Sequence, residues 1–124
     1  MDYKKPRGTP EKDIKLRCRK IGVKNGWKPK PLNVSAGIYS TPGWPDDLWL
    51  HPLKGGVWVE FKVPGGGLEL SQVNMFKDLT MAGIPVFVVE KESDLHEFMN
   101  TEKYDSNKKM GGNWWRYVLD GRIR

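Results

Sequence analysis

The stretch Gly55-Gly56-Val57-Trp58-Val59-Glu60-Phe61-Lys62-Val63-Pro64-Gly65-Gly66-Gly67 decides the fold. Successive residues of a strand face opposite sides of a sheet, so Val57, Val59, Phe61 and Val63 share one face. Trp58, Glu60 and Lys62 share the other. Four apolar residues on one side predict a buried face, and a carboxylate beside an ammonium on the other predicts a polar feature there. Gly55-Gly56 reads as a hairpin turn and Pro64 to Gly67 as the end of the strand. A partner strand near Asp46 to His51 follows the turn Thr41-Pro42-Gly43-Trp44-Pro45. Downstream, Ser71 reads as the cap of a helix to about Ala82, with Gly83 as its stop. Ile84 to Val89 is a short apolar run, predicting a strand buried on both faces.

Towards the N-terminus, Thr9-Pro10-Glu11 reads as a helix start, with Thr9 as N-cap and Pro10 at the first helical position. The helix is expected to run to about Ile21 and stop before Gly22, with Ile14, Cys18 and Ile21 as its apolar stripe. Asn25 to Pro31 reads as a loop and Leu32 to Tyr39 as a short strand. Towards the C-terminus, Ser93 to Asn100 reads as a short helix, residues 101–113 as a loop, and Trp114 to Leu119 as an extra strand or a docked tail. The order α-β-β-α-β-α, with one hairpin and one βαβ crossover, predicts an α/β fold with a mixed sheet flanked by helices. Three segments follow: a flexible basic leader over 1–8, a core over 9–100 and a basic, Trp-rich extension over 101–124. No internal repeat is present.

The 124 residues suit one domain, and the formal net charge is +6. That total hides an uneven distribution. Residues 1–30 carry 11 Lys and Arg against 3 acids, residues 31–102 carry 4 against 10, and residues 103–124 carry 6 against 2. Basic ends around an acidic middle fit a protein that grips a polyanion at its margins and holds something cationic at its centre. Basic ends that merely keep a surface soluble give the same count. The basic candidates for a nucleic-acid contact are Lys12, Lys15, Arg19, Lys28, Lys30, Lys108, Lys109 and Arg116. One cysteine, Cys18, excludes an internal disulfide, and with two histidines it argues against a structural zinc site. The longest apolar run is far short of the roughly 20 residues that span a bilayer, and no hydrophobic segment follows the N-terminal lysines. The expectation is a soluble, reduced, cytoplasmic protein that does not engage a membrane.

Asp46 lies 14 positions before Glu60, a spacing that a hairpin can close so that both carboxylates meet. Two convergent carboxylates with a backbone carbonyl and water make the hard-oxygen site that Mg²⁺ prefers. A lysine beside them can stabilise a metal-bound hydroxide or the charge developing on a phosphate. Alone, Glu60 and Lys62 read as readily as a solvated strand face, and Pro45-Asp46 as a turn. Two further polar residues sit on apolar faces. Gln72 falls in the middle of the arc formed by Val73, Met75, Phe76, Leu79 and Ala82, and Glu11 precedes Ile14 and Cys18 by three and seven positions. Buried polar groups need partners. Each also has a plainer reading, since Glu11 complements a helix N-terminus and Gln72 can cap its own first turn. Asp47 competes with Asp46, but its side chain is expected on the opposite strand face, so Asp46 is preferred.

The ordered set Glu11, Gly43-Trp44-Pro45-Asp46, Glu60-Phe61-Lys62 and Gln72, followed by Gly83-Ile84-Pro85-Val86-Phe87-Val88, resembles the PD-(D/E)xK nuclease superfamily. The resemblance is closest to the VRR-NUC branch and covers roughly residues 9–99. It implies a restriction-endonuclease-like core and a metal-dependent endodeoxyribonuclease that uses Mg²⁺ or Mn²⁺. It implies that Asp46, Glu60 and the Phe61 backbone carbonyl bind the metal, and that Glu11 binds a metal or its water shell. Lys62 would assist the attacking water, and Gln72 would orient Lys62 or contact the DNA backbone. Stand-alone members of this branch are small, often phage-encoded, and resemble dimeric Holliday-junction resolvases. A homodimer acting on branched DNA in a host cytoplasm is therefore the implied partner state. Activity on ordinary duplex, flaps or ends, and a DNA-binding module without turnover, are the alternatives. The segment Asn113-Trp114-Trp115-Arg116-Tyr117 has no counterpart in that motif set.

Among the tryptophans, Trp58 is expected to wall the site and Trp44 to stand beside its turn. Trp114 and Trp115 are candidates for stacking on unpaired bases or for packing. Gly65-Gly66-Gly67 reads as a loop close to phosphate or as a plain turn. His51 and His96 lack metal-ligand spacing and are assigned no role.

Overall fold

The computed structural model describes residues 10–32 and 41–124. The expected leader over 1–8, the Thr9 cap and all but Leu32 of the strand expected over 32–39 lie outside them. The elements are α1 (Pro10–Lys24), β1 (Lys28–Pro31), β2 (Asp47–His51), β3 (Gly55–Phe61), α2 (Leu70–Met81), β4 (Val86–Val89), a 3₁₀ turn (Glu92–Leu95), α3 (His96–Met99), α4 (Thr101–Lys109) and α5 (Trp115–Leu119). The sheet order is β1-β2-β3-β4. β1 and β2 pair antiparallel, as do β2 and β3, while β4 joins β3 in parallel through α2. This is the expected α/β architecture with a mixed sheet.

The alternation along β3 separates two apolar layers. Val57, Val59 and Phe61 meet Ile14 and Cys18 of α1, with Trp27, Trp49, Phe87, Val89, Leu95, Phe98 and Tyr104. Trp58 faces the other layer, with Leu68, Met75, Phe76, Leu79, Val86, Val88, Trp114 and Tyr117. β4 is buried along its whole length because its alternate residues serve both layers. Each fully buried Phe or Val contributes roughly 1.5–3 kcal/mol. Residues 101–124, read from sequence as an extension, complete both layers through Tyr104, Trp114 and Tyr117.

The loop expected over 101–113 holds helix α4, and the segment Trp114 to Leu119 holds helix α5 instead of a strand. Strand β3 ends at Phe61, which leaves Val63 exposed. Four further local expectations are corrected. Helix α1 passes through Gly22, which is buried because a Cβ there would run into the Trp49 ring. Gly22 is a close-approach residue and not a stop. The hairpin turn falls on residues 52–54, since Gly55 and Gly56 already pair with His51 and Leu50. Helix α2 begins at Leu70 behind an extended Glu69, so Ser71 is inside it and does not cap it. Lys28–Pro31 is a strand despite its two prolines. The Leu32 amide donates to the Asp46 carbonyl at 2.8 Å. By alternation Pro29 and Pro31 point their missing donors away from β2, at the sheet edge where proline is tolerated.

The candidate active site

The site forms where the ends of β2 and β3 meet the first turn of α2 and the first turns of α1. The β2–β3 register ends at Asp47↔Val59, which leaves Asp46 just beyond β2 and close enough for its charge to act on Glu60. The Asp46 Oδ2 accepts a hydrogen bond from the Phe61 amide at 2.9 Å, which fixes the carboxylate against the end of β3. The turn before it is held close to α2: Gly43 has φ +99°, and a Cβ there would strike the Ser71 carbonyl. A side chain at position 43 would push Asp46 away from Glu60.

Glu60 is the most constrained group in the site, only 3% exposed. Its Oε2 accepts from Gln72 Nε2 at 2.9 Å and lies 3.4 Å from Lys62 Nζ. Its Oε1 is buried with no protein partner. Burial, and then the neighbouring Asp46 charge, push the Glu60 carboxyl up to about 8, against the opposing pull of Lys62 and Gln72. The Gln72 amide faces two ways, because its Oε1 accepts from the Glu69 amide at 3.0 Å. That bond satisfies one free donor of the helix start and turns the NH₂ group towards Glu60. Both readings of Gln72, as a cap and as a site residue, hold in one rotamer.

On the α1 side, Lys15 Nζ lies 3.3 Å from Asp46 Oδ1 and 3.4 Å from Glu11 Oε2. Burial alone would lower the Lys15 pKa; the Asp46 and Glu11 charges outweigh it and hold it above its ordinary value. The Glu11 side chain is 45% exposed, so it stands at the rim instead of on a buried stripe.

Asp47 points to the other face. It is fully buried, accepting from Arg19 Nε and Nη2 at 2.8 and 2.7 Å and from Trp49 Nε1 at 2.9 Å. This set of three donors satisfies a buried carboxylate and ties α1 to β2.

Among the described residues no three His, Cys, Asp or Glu side chains converge into a ready-made metal cage. Mg²⁺ commonly takes only one or two carboxylates and completes its shell with water. Asp46 and Glu60 supply that number. The unsatisfied buried oxygen of Glu60 and its raised pKa are the features that a divalent cation would relieve. The residues present therefore fit such an ion.

Among solved structures, a VRR_NUC domain matches with a TM-score of 0.64 and 21% sequence identity, over 76% of this chain and 98% of that one. This chain has the fold of a VRR_NUC domain. No protein-family model and no curated protein matches the sequence. At that identity the likeness speaks to the fold, and the roles of residues rest on the geometry above.

On this VRR_NUC-like framework Asp46, Glu60, Lys62 and Gln72 converge, with Glu11 joined to them through Lys15. The basic candidates do not form one cluster. Lys15 is inside the acidic site, and Arg19 is committed to Asp47. Lys12 is exposed on α1, and Lys28 and Lys30 are exposed on the edge strand β1. Lys108 and Lys109 end α4, Lys108 lying over the Tyr104 ring at 5.6 Å. Arg116 pairs with Glu97 at 3.0 Å and covers the Trp115 ring. Trp114 is buried and donates to Thr80 Oγ1 at 2.9 Å, so it packs in the core layer with Phe76. Trp58 shares the Glu60 face, with the half-exposed Trp44 ring 5.6 Å from it.

One group escaped the sequence reading. Arg122 donates to the Gly66 carbonyl through Nε at 3.0 Å and Nη2 at 2.6 Å, and to Glu90 Oε2 at 2.7 Å. Tyr117 donates to the same Glu90 oxygen. The Leu68 amide donates to the Arg122 carbonyl, and the Arg124 amide to the Leu68 carbonyl. The C-terminal segment thus holds the glycine loop that joins Lys62 to Gln72. No spacing signal links residues 66, 90, 117 and 122, because the contacts exist only after α5 has docked.

Proposed function

We propose that the chain is a metal-dependent endodeoxyribonuclease of the VRR-NUC type, hydrolysing DNA phosphodiester bonds. The observation that carries this reading is Glu60: a buried carboxylate with one unsatisfied oxygen, close to Asp46 and beside Lys62. A structural carboxylate is expected to resemble Asp47, with its acceptors filled. Glu60 is held at a cost in desolvation and left open on one side, which suits a ligand for a divalent ion.

Asp46 and Glu60 would hold Mg²⁺ or Mn²⁺, with the Phe61 carbonyl as a third oxygen and Glu11 reaching the ion's water shell. When bound, the ion supplies a lowered water pKa and positive charge against the phosphate. Lys62 holds the water for attack through its ammonium and offsets negative charge as it develops. Gln72 holds the Glu60 Oε2, which leaves Oε1 as the oxygen that would take the ion. The exposed lysines of α1, β1 and α4 hold the polyanion by its backbone.

The substrate we propose is branched DNA, cut in a Holliday-junction-resolvase manner by a homodimer whose two sites are related by a two-fold axis. Among the described residues no helix is long and apolar enough to cross a membrane, and the reading places the protein with DNA in the cytoplasm, consistent with a phage origin.

The test is a cleavage panel of four-way junction, flap, nicked and linear duplex with Mg²⁺ or Mn²⁺. Paired cuts in the junction, lost in Glu60→Ala and Lys62→Ala while binding persists, support the reading. Cleavage of linear duplex at the same rate removes the junction preference. Unchanged cleavage in both variants removes the site assignment, and binding without any cleavage by the parent chain makes it a DNA-binding module.

A further inference from the structure

The cluster of Glu11, Lys15 and Asp46 has a property that the cleavage chemistry does not require. Asp46 has two carboxylate oxygens, and both are engaged: Oδ2 by the Phe61 amide at 2.9 Å and Oδ1 by Lys15 Nζ at 3.3 Å. Glu11, the third acid of the site, is held by the same ammonium at 3.4 Å. Glu60 is approached by Lys62. Each carboxylate of the metal-free site is therefore paired with a lysine of this chain, and the two lysines come from different elements. Lys62 extends from the end of β3 and reaches its partner two residues away. Lys15 comes from α1, on the opposite face of the sheet, and its side chain is 21% exposed.

Two cations cannot share one carboxylate oxygen at contact distance without repulsion. We propose that Lys15 is a built-in competitor for the metal, its ammonium occupying Asp46 until the ion and DNA arrive together. The inference rests on the metal-dependent reading of the site. Lys15 keeps Asp46 and Glu11 neutralised in the empty protein, which offsets the repulsion between these two acids. Metal entry at Asp46 requires the ammonium to leave, and a flexible, partly exposed side chain has a destination in the phosphate backbone of the substrate. DNA that attracts Lys15 vacates Asp46 for the ion, and an ion at Asp46 releases Lys15 to DNA. Such coupling is reciprocal by thermodynamic necessity.

The test measures Mn²⁺ binding calorimetrically to the full chain, with and without a short duplex carrying non-hydrolysable phosphorothioate linkages. Parent, Lys15→Met and Lys15→Gln are compared, with folding checked by thermal melts. In the absence of DNA, Lys15→Met is expected to bind Mn²⁺ roughly tenfold more tightly, the effect of removing one competing charge at contact range. The duplex is expected to tighten Mn²⁺ binding in the parent and to do so several-fold less in Lys15→Met. Lys15→Gln follows the same pattern and serves if the methionine variant does not fold. Equal or weaker Mn²⁺ affinity in the folded variants overturns the role of Lys15 while leaving the metal site standing. No Mn²⁺ binding to the parent or the variants overturns the metal site itself, and this inference with it.

Discussion

Gln72 donates to the Glu60 carboxylate at 2.9 Å with the amide group whose oxygen caps helix α2 through the Glu69 backbone. A single side chain therefore serves both the start of a helix and the proposed metal ligand. Gln72→Ala removes both bonds and is expected to cost about 0.5–2 kcal/mol of stability, as for a lost cap. Gln72→Glu keeps an acceptor for the Glu69 amide but turns a second carboxylate on Glu60. Urea unfolding should place Gln72→Glu closer to the parent than Gln72→Ala in acid. Cleavage should fall in both variants. Full cleavage by Gln72→Glu would show that the amide donor is dispensable.

Glu60 makes the metal-free protein sensitive to pH. Its carboxyl is raised from 4.5 to about 8 in the folded chain, so the native state keeps a proton that the unfolded chain has released. Its contribution is fully present below about pH 4.5 and is lost as pH rises to about 8. Glu60→Gln should remove that slope and raise stability at pH 8 in chelator by on the order of a few kcal/mol. Thermal melts from pH 5 to pH 9 (about the range of the shift) check this. A parent and a variant with parallel pH profiles would contradict it.

Adjacent aspartates should behave oppositely. Asp47→Ala leaves Arg19 without its buried partner and is expected to cost about 3–5 kcal/mol. Asp46→Asn keeps an acceptor for the Phe61 amide and should cost under about 1.5 kcal/mol, a typical single hydrogen bond, while abolishing metal-dependent cleavage. Melting temperature and cleavage measured on both variants separate the structural acid from the functional one.

Binding to DNA should depend steeply on salt. A footprint of roughly 6–10 phosphates loses about 10³–10⁵ in affinity between about 50 and 200 mM. Lys28→Ala and Lys30→Ala, both on the exposed edge strand, should each reduce the log–log salt slope by about 0.9 and change stability by less than about 0.5 kcal/mol. Fluorescence anisotropy titrations across a salt series measure the slope. An unchanged slope in the double variant would remove β1 from the DNA contact.

Local patterns in the chain were enough to identify the central strand, its hairpin partner, the crossover helix and the buried fourth strand, because each carries its own periodicity. They also aimed Gln72 inward, since helical angle follows from position alone, whereas the register that brings Asp46 to Glu60 depends on a turn over 52–54 that Gly55 and Gly56 concealed. Helix α4 was not legible. Thr101–Lys109 buries only Tyr104 and carries no apolar stripe. It is held instead by the Asn100 cap, whose Oδ1 accepts from the Lys103 amide at 3.0 Å, and by the Tyr104 hydroxyl donating to the Lys54 carbonyl at 2.6 Å. The β1 strand was hidden by prolines that an edge position tolerates.

The sequence by itself determined which residues face the same way on one element: Glu60 with Lys62, Ile14 with Cys18, Asp46 apart from Asp47. These follow from the fixed periods of strand and helix. Tertiary structure alone decided how charges from different elements pair. Arg19, one of several similar basic residues in α1, is bound to Asp47; Lys15, four positions earlier, is held between Glu11 and Asp46; and Arg122 reaches back to Gly66. Long cationic side chains carry no directional signal in sequence, and their partners are set by which carboxylate or carbonyl the packed layers bring within reach.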